Sequence, residues 1–83
     1  MNAVLTQHAQ EMLAKRGIDP AWVERALVCP QLVQADKVDP SLEHRFVKIA
    51  ENGDRVLKVV VNRLASPERV VSAYFDRRMK GVL

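Results

Sequence analysis

Three side chains on predicted strands could together perform acid–base chemistry on a phosphodiester. Imidazole titrates near neutral pH, so His44 can take or give a proton. Lys58 can stabilise a negatively charged phosphate, and Tyr74 and Arg77 can position or protonate a leaving group. Such a set would allow metal-free cleavage of RNA, with the 2′-hydroxyl as the nucleophile. The other histidine of the chain, His8, lies near the N-terminus.

Each of these side chains also has a purely structural interpretation. His8 can bond a sheet carbonyl and lock its helix to the core, because buried polar groups need partners. His44 and Lys58 can be ordinary residues of a solvated strand face, and Tyr74 a packed aromatic with a wet hydroxyl. The residue types alone leave both interpretations open.

Basic residues concentrate in the second half of the chain. The net charge is +3 on 83 residues, but residues 1–40 contain four basic and five acidic residues, against nine and five in residues 41–83. A basic sheet with aromatic side chains among its cations can follow a phosphate backbone and stack a base. The alternative is a solvated face with ordinary surface charges. The candidate nucleic-acid contacts are Lys48, Arg55, Arg77 and Arg78.

Several other classes of protein are excluded by what the chain lacks. Cys29 is the only cysteine, and no Cys/His spacing predicts a zinc site. There is no glycine-rich phosphate-binding motif, no apolar run long enough to span a membrane and no leader-like N-terminus. We therefore expect a cytoplasmic single domain, residues 1–83, with no metal, no cofactor and no membrane partner.

Two short helices are predicted first. Thr6 is a good N-cap for a helix that ends near Arg16, where Gly17 can adopt the left-handed conformation. Asp19 and Pro20 then predict the start of a second helix, which Pro30 prevents from continuing.

Strands are predicted over the rest of the chain. They cover residues 31–35, 42–50, 55–63 and 69–75, and an Asn-Gly pair lies in the turn between the second and third of them. A three-residue loop would pair Glu51 with Arg55 and place Lys48 opposite Lys58; a two-residue loop would mix polar and apolar side chains on each face. Uniform faces favour the first register. It gives one face with Val47, Ile49, Leu57, Val59 and Val61, joined by Val71, Ala73 and Phe75 of the last strand. The predicted fold class is α+β, with two N-terminal helices packed on a three- to four-stranded antiparallel sheet.

Short motifs along the chain resemble a family of bacterial and archaeal domains of unknown function. Members open with Thr-x-His-Ala and continue to Arg-Gly-Ile, which correspond here to residues 6–9 and 16–18. Because His8 belongs to the first of these motifs, the resemblance makes it a second candidate for the acid or base. They end with strands similar to residues 56–61 and 70–74 of this chain. Members often carry Arg four residues after the His, where this chain has Met12, so any role of that Arg is absent.

The predicted order of elements is also similar to the RelE/ParE and BrnT-like toxin folds. The stretch Glu43-His44-Arg45-Phe46 resembles a Glu-x-Arg-Tyr region of BrnT-like toxins. This resemblance implies a small toxin-like RNA-interacting protein that could be a metal-independent endoribonuclease, with RNA and an antitoxin-like protein as its expected partners. The alternative is a non-catalytic interaction module that forms a homodimer or binds a partner chain through its sheet.

Overall fold

The two helices form where local capping signals predict them. The computed structural model describes residues 3–83. Helix α1, Gln7–Arg16, begins after Thr6, whose hydroxyl accepts a hydrogen bond from the Ala9 amide at 3.1 Å, and it ends at Gly17 with φ of 62°. Helix α2, Pro20–Val28, begins after Asp19, whose carboxylate accepts from the Ala21 amide at 2.9 Å.

Five strands form one sheet, in the order β1-β5-β4-β3-β2. The strands are β1 Val4–Leu5, β2 Leu32–Ala35, β3 Leu42–Ile49, β4 Arg55–Asn62 and β5 Arg69–Phe75. Strand β1 runs parallel to β5, and the other neighbours are antiparallel. The predicted α+β class is confirmed, with one strand more than expected. A two-residue strand is too short for an alternating pattern, so sequence periodicity could not reveal β1.

The register of the β3–β4 hairpin differs from the predicted one by two residues. Arg55 pairs with Ile49 instead of Glu51, and Lys58 lies opposite Phe46 instead of Lys48. A shift of two residues leaves every side chain on its predicted face, because side chains alternate with a period of two. The assignment of faces therefore holds although the pairing was wrong.

The turn between β3 and β4 explains the shift. Residues Ala50–Asn52 wind into a 3₁₀ turn that ends at Gly53, with φ of 66°, and Asp54 also adopts a positive φ of 58°. Glu51 leaves the ladder and binds Arg25 of α2 through two hydrogen bonds of 3.1 and 2.9 Å. The longer turn uses residues that the predicted register assigned to the strand.

Both helices pack on one face of the sheet, and the main core lies between them and the strands. Val70 of β5 is buried there, whereas the prediction placed Val71 inward. An irregularity between Val60 and Val61 shifts the pairing with β5 by one residue and causes this difference. The core contains Ala9, Leu13, Ile18, Val23, Ala26, Val47, Ile49, Leu57, Val59, Val61, Val70 and Ala73.

The opposite face of the sheet, called the open face below, is partly covered by the C-terminal segment. After β5 the chain continues through Asp76 into a 3₁₀ turn at Arg77–Met79. The terminal carbonyl of Leu83 reaches the Lys48 ammonium at 3.4 Å. Phe46 is buried although it does not face the helices, and it lines a cleft together with Asp76, Arg78 and Met79 of this segment. No helix within residues 3–83 is long and apolar enough to cross a membrane.

Candidate active site

A row of three side chains crosses the open face. Phe46, Lys58 and Tyr74 are direct neighbours on β3, β4 and β5. The Lys58 ammonium lies 5.8 Å from the centroid of the Phe46 ring and 5.3 Å from that of the Tyr74 ring. Such distances allow the ring faces to attract the cation and hold it in place. Lys58 is only 8% exposed, so the interpretation of this residue as part of a solvated face is wrong.

His44 lies two residues from Phe46 on β3 and is paired with a carboxylate. Its Nε2 is 2.8 Å from Oδ1 of Asp36, and its ring meets the Phe46 ring edge-on with centroids 6.5 Å apart. The His44 side chain is 17% exposed, so it is not the open strand residue of the structural interpretation. An ionised carboxylate can only accept hydrogen bonds, so Nε2 carries a proton, and in the neutral form of the ring Nδ1 then keeps the lone pair.

Asp36 is held in place by its own loop. Its second oxygen accepts hydrogen bonds from the backbone amides of Asp39, at 2.8 Å, and Val38, at 3.1 Å. These amides, followed by the hydrogen bond to His44, lower the pKa of Asp36 below its ordinary value. The carboxylate is therefore ionised at neutral pH and can orient the imidazole.

Sequence reasoning missed Asp36 as a functional residue. Asp36 lies in the connection between the predicted strands 31–35 and 42–50, where the sequence indicated no functional residue. The available signal in the sequence was that Asp36 directly follows the predicted strand 31–35. In the structure Asp36 lies two residues after Gln34, which pairs with His44. Only the pairing of β2 with β3 brings the two side chains together.

These groups line a cleft of about 490 Å³, called the His44 cleft below. Its wall on the C-terminal side contains Asp76 and Arg78. Burial opposes ionisation of Asp76, which is 7% exposed, but hydrogen bonds from the Arg78 side chain and backbone amide outweigh it and lower the pKa of Asp76. The positive charge of Lys58 acts in the same direction. Both carboxylates of the cleft, Asp36 and Asp76, are thus ionised, and each already accepts hydrogen bonds from neighbouring groups.

The other predicted acid–base residues lie outside this cleft. Tyr74 contacts Lys58 from the side, with the Arg16 guanidinium 5.7 Å from its ring centroid, but it does not line the cleft. His8 is exposed on α1, in the helical layer across the sheet from His44. The alternative interpretation of His8 as a buried lock to a sheet carbonyl is therefore wrong.

The four predicted nucleic-acid contacts do not form one patch. Arg55 and Arg77 line a second cleft at the end of the sheet, Arg78 lines the His44 cleft, and Lys48 contacts the terminal carbonyl of Leu83. Arg77 and Arg78 belong to the C-terminal segment, and Lys48 contacts its last residue.

The Glu-x-Arg pair that resembles BrnT-like toxins, Glu43 and Arg45, does not take part in the His44 cleft. The Arg45 Nε lies 2.8 Å from the Glu43 carboxylate, and its terminal nitrogens bind both oxygens of Glu68 at 3.1 and 2.8 Å. Arg45 shares the face of Val47 and Ile49, so it points away from the His44 cleft. This ion pair ties β3 to the segment before β5 and does not supply a cation to the cleft.

The cleft brings together the groups that metal-free proton transfer requires. It holds an imidazole with an oriented tautomer, a fixed ammonium and an opening for a ligand. Among residues 3–83, no three His, Cys, Asp or Glu side chains are grouped so that they could hold a metal ion.

Comparison with known proteins gives one match. A family model described as a domain of unknown function, DUF4258, matches residues 5–75. No curated protein and no solved structure matches the chain. The resemblance to a family of domains of unknown function is confirmed at this level, and the likeness to RelE/ParE and BrnT-like toxins stays a prediction.

Proposed function

Because this chain belongs to the DUF4258 family, whose description assigns no activity, we propose a function from the His44 cleft itself: metal-independent cleavage of single-stranded RNA by a small toxin-like protein. The observation that carries the proposal is the 2.8 Å contact between His44 and Asp36, in a cleft that also contains the Lys58 ammonium. Attack by a 2′-hydroxyl on the adjacent phosphate needs at least a base that accepts the hydroxyl proton and a cation that stabilises the developing charge. An oriented imidazole and a fixed ammonium in one cleft supply both.

The proposed reaction uses His44 as the general base. Nδ1 takes the proton of the 2′-hydroxyl, and the 2′-oxygen attacks phosphorus. A P–O2′ bond forms and the P–O5′ bond breaks, which leaves a 2′,3′-cyclic phosphate and a free 5′-hydroxyl. The Lys58 ammonium stabilises the charge that develops on the phosphate and supplies the proton to the leaving 5′-oxygen.

The two flanking groups have supporting roles in this scheme. Asp36 holds the imidazole in the Nε2–H tautomer and stabilises the imidazolium that forms. Tyr74 and Phe46 hold the Lys58 ammonium between their rings, so that the cation is positioned before the substrate arrives. In this scheme Tyr74 is a positioning residue.

Replacing the cation tests the proposal without opening a hole in the structure. Lys58→Met keeps an unbranched apolar stem at a nearly buried position, so the fold is expected to survive. We expect cleavage of a single-stranded RNA oligonucleotide to fall roughly 100- to 1000-fold. Lys15→Met is the control, because it removes the same charge from the exposed surface of α1, outside the cleft.

The substrate provides the second half of this test. The RNA must not be cleaved where the 2′-hydroxyl before the scissile phosphate is replaced by hydrogen, and the RNA products must carry 2′,3′-cyclic phosphates. Cleavage of the 2′-deoxy substrate, or equal rates for wild type and Lys58→Met, would overturn the mechanism.

A specific feature also favours a second function, association of two copies through β2. Strand β2 is an outer strand of the sheet, its four residues carry no charge, and Val33 is 47% exposed. The Asp36 amide bonds the Leu42 carbonyl, so the alternation of an antiparallel ladder directs the backbone groups of Val33 and Ala35 outward. The opposite edge is protected, because β1 covers part of β5 and Arg16 donates to the Ala73 carbonyl at 3.0 Å.

The second function predicts a dimer joined by antiparallel β2 strands. Val33→Lys should make the protein monomeric in sedimentation experiments, since a lysine on an edge strand opposes pairing with a second strand. Val28→Lys, on an exposed position of α2, is the control and should leave the dimer intact. A wild-type protein that stays monomeric at high micromolar concentration would rule this association out.

A further inference from the structure

A second cleft lies at the end of the sheet where β4 begins and β5 ends. It has a volume of about 530 Å³ and is called the basic cleft below. Asp76 lines both this cleft and the His44 cleft, so the two clefts are adjacent. The basic cleft is lined by Arg55, Val56, Phe75, Asp76, Arg77 and Lys80.

The three cations of this cleft have no carboxylate partner in the part of the chain that the structure describes. Arg55, Arg77 and Lys80 form no ion pair with any carboxylate of residues 3–83. Arg25, Arg45 and Arg78, by contrast, are each bound to a carboxylate. The one acid in the basic cleft, Asp76, is 7% exposed and bound to Arg78. The cleft therefore presents a net positive charge to solvent.

Arg55 is already positioned for an anionic ligand. Its guanidinium carbon lies 4.3 Å from the centroid of the Phe75 ring, and that ring is supported edge-on by Trp22 at 6.0 Å. A guanidinium that covers an aromatic ring keeps its N–H groups at the rim, where they can bind a phosphate with two parallel hydrogen bonds. The stacked side chain loses less freedom on binding than an unsupported one would.

From this geometry we propose that the basic cleft binds a phosphate group of the same RNA strand whose scissile phosphodiester occupies the His44 cleft. The inference rests on the proposed function for the identity of the strand, and on the unpaired cations for the phosphate. Because Asp76 lines both clefts, they are adjacent, and a strand of a few nucleotides can contact both. The substrate is then an oligonucleotide with at least one phosphate beyond the scissile one.

Binding is tested with a ligand that cannot be cleaved. The probe is a single-stranded 2′-deoxy hexanucleotide, and the variants are Arg55→Gln, Arg77→Gln and Lys80→Gln. We expect each variant to weaken binding at least about tenfold, the lower end of the range for a hydrogen bond to a charged group. The slope of log affinity against log salt concentration should fall by about 0.7 for each phosphate contact removed. Lys15→Gln, on the exposed surface of α1, removes the same charge and should change neither quantity.

Cleavage assays with a hexanucleotide and with a dinucleotide separate the proposed phosphate site from the proposed catalytic function. With an RNA hexanucleotide, Arg55→Gln and Lys80→Gln should raise KM and leave kcat unchanged; with a dinucleotide, they should match the wild type. If the wild type binds the deoxy probe through these residues but cleaves no RNA, the proposed function is overturned and the phosphate site stands. If it cleaves RNA while the variants bind the probe as tightly as the wild type, the phosphate site is overturned.

Competition with free inorganic phosphate tests whether the basic cleft binds a phosphate of a strand or a free phosphate ion. We expect it to compete with the hexanucleotide only at millimolar concentrations, because a strand that also occupies the His44 cleft gains from both contacts. Competition at micromolar inorganic phosphate, with equal affinity for short and long oligonucleotides, would identify a site for free phosphate and overturn the continuous strand.

Discussion

At the scale of single residues, the Asp36 carboxylate binds its own loop with one oxygen and His44 with the other. One oxygen accepts from the amides of Val38 and Asp39 and shapes the loop, and the other holds His44. The first role is local and was predictable from the turn sequence. The second depends on a strand pairing across eight residues, and no pattern within the loop indicates it.

We expect the Nε2–H tautomer of His44 to dominate in the wild type and to be lost in Asp36→Ala. The ring nitrogen shifts in ¹⁵N NMR at a pH where the ring is neutral report which nitrogen carries the proton. Asp39→Ala is the control, since Asp39 binds Ser41 in the same loop and does not touch His44. An unchanged tautomer in Asp36→Ala would show that the carboxylate does not orient the ring.

Lys58 shows why burial on the open face could not be predicted. Its own strand pattern indicates a polar face, and the prediction of which face it occupies is correct. The side chain is buried because the C-terminal segment covers this face and two aromatic rings flank the ammonium. Neither the path of that segment nor the neighbours across the sheet can be derived from alternation within one strand.

At the scale of elements, the turn after β3 is fixed by a contact with α2. Arg25 binds both oxygens of Glu51, and this hydrogen bonding lowers the pKa of Glu51 to about 2. The sequence predicted a hairpin and both of its faces. It could not predict the length of the turn, because the partner that draws Glu51 out of the ladder lies 26 residues earlier.

This contact gives a pH-dependent contribution to stability. A carboxylate whose pKa is depressed in the folded state stabilises the fold fully above its unfolded pKa, here the ordinary 4.5, and loses that contribution as the pH falls through about 2. Arg25→Gln should therefore be less stable than the wild type at neutral pH, and the difference should close between about pH 4.5 and 2. Both partners are substantially exposed, so the difference will be small.

Urea unfolding of both proteins from pH 7 to 2 measures this difference. Carboxyl ¹³C NMR of Glu51 should show its pKa rising towards the ordinary value in Arg25→Gln. A gap in unfolding free energy that stays constant down to pH 2 would mean that Arg25 stabilises the protein by some other contact. Lys15→Gln controls for the general loss of one positive charge.

At the scale of the whole molecule, the excess of positive charge in residues 41–83 separates into paired and unpaired groups. Arg45 and Arg78 neutralise carboxylates, whereas Arg55, Arg77 and Lys80 gather around one cleft. Counting charges along the chain located the basic half. It could not separate the two groups, because pairing depends on which carboxylates the fold brings near.

The two clefts also differ in their relation to the family. The matched range, residues 5–75, contains Asp36, His44 and Lys58, and it ends before Arg77 and Lys80. The proposed chemistry therefore lies within the part of the chain that defines its membership. The phosphate contacts of the basic cleft come partly from the segment that follows.

The most direct test of the central claim compares two histidine variants on the same single-stranded RNA. His44→Ala removes the proposed base, and its cleavage rate should fall roughly 100- to 10,000-fold, the range for loss of a general base. His8→Ala, on the exposed surface of α1, should cleave at the wild-type rate. Circular dichroism of both variants should match the wild type. Wild-type cleavage by a folded His44→Ala protein, or loss of cleavage in His8→Ala instead, would contradict the account.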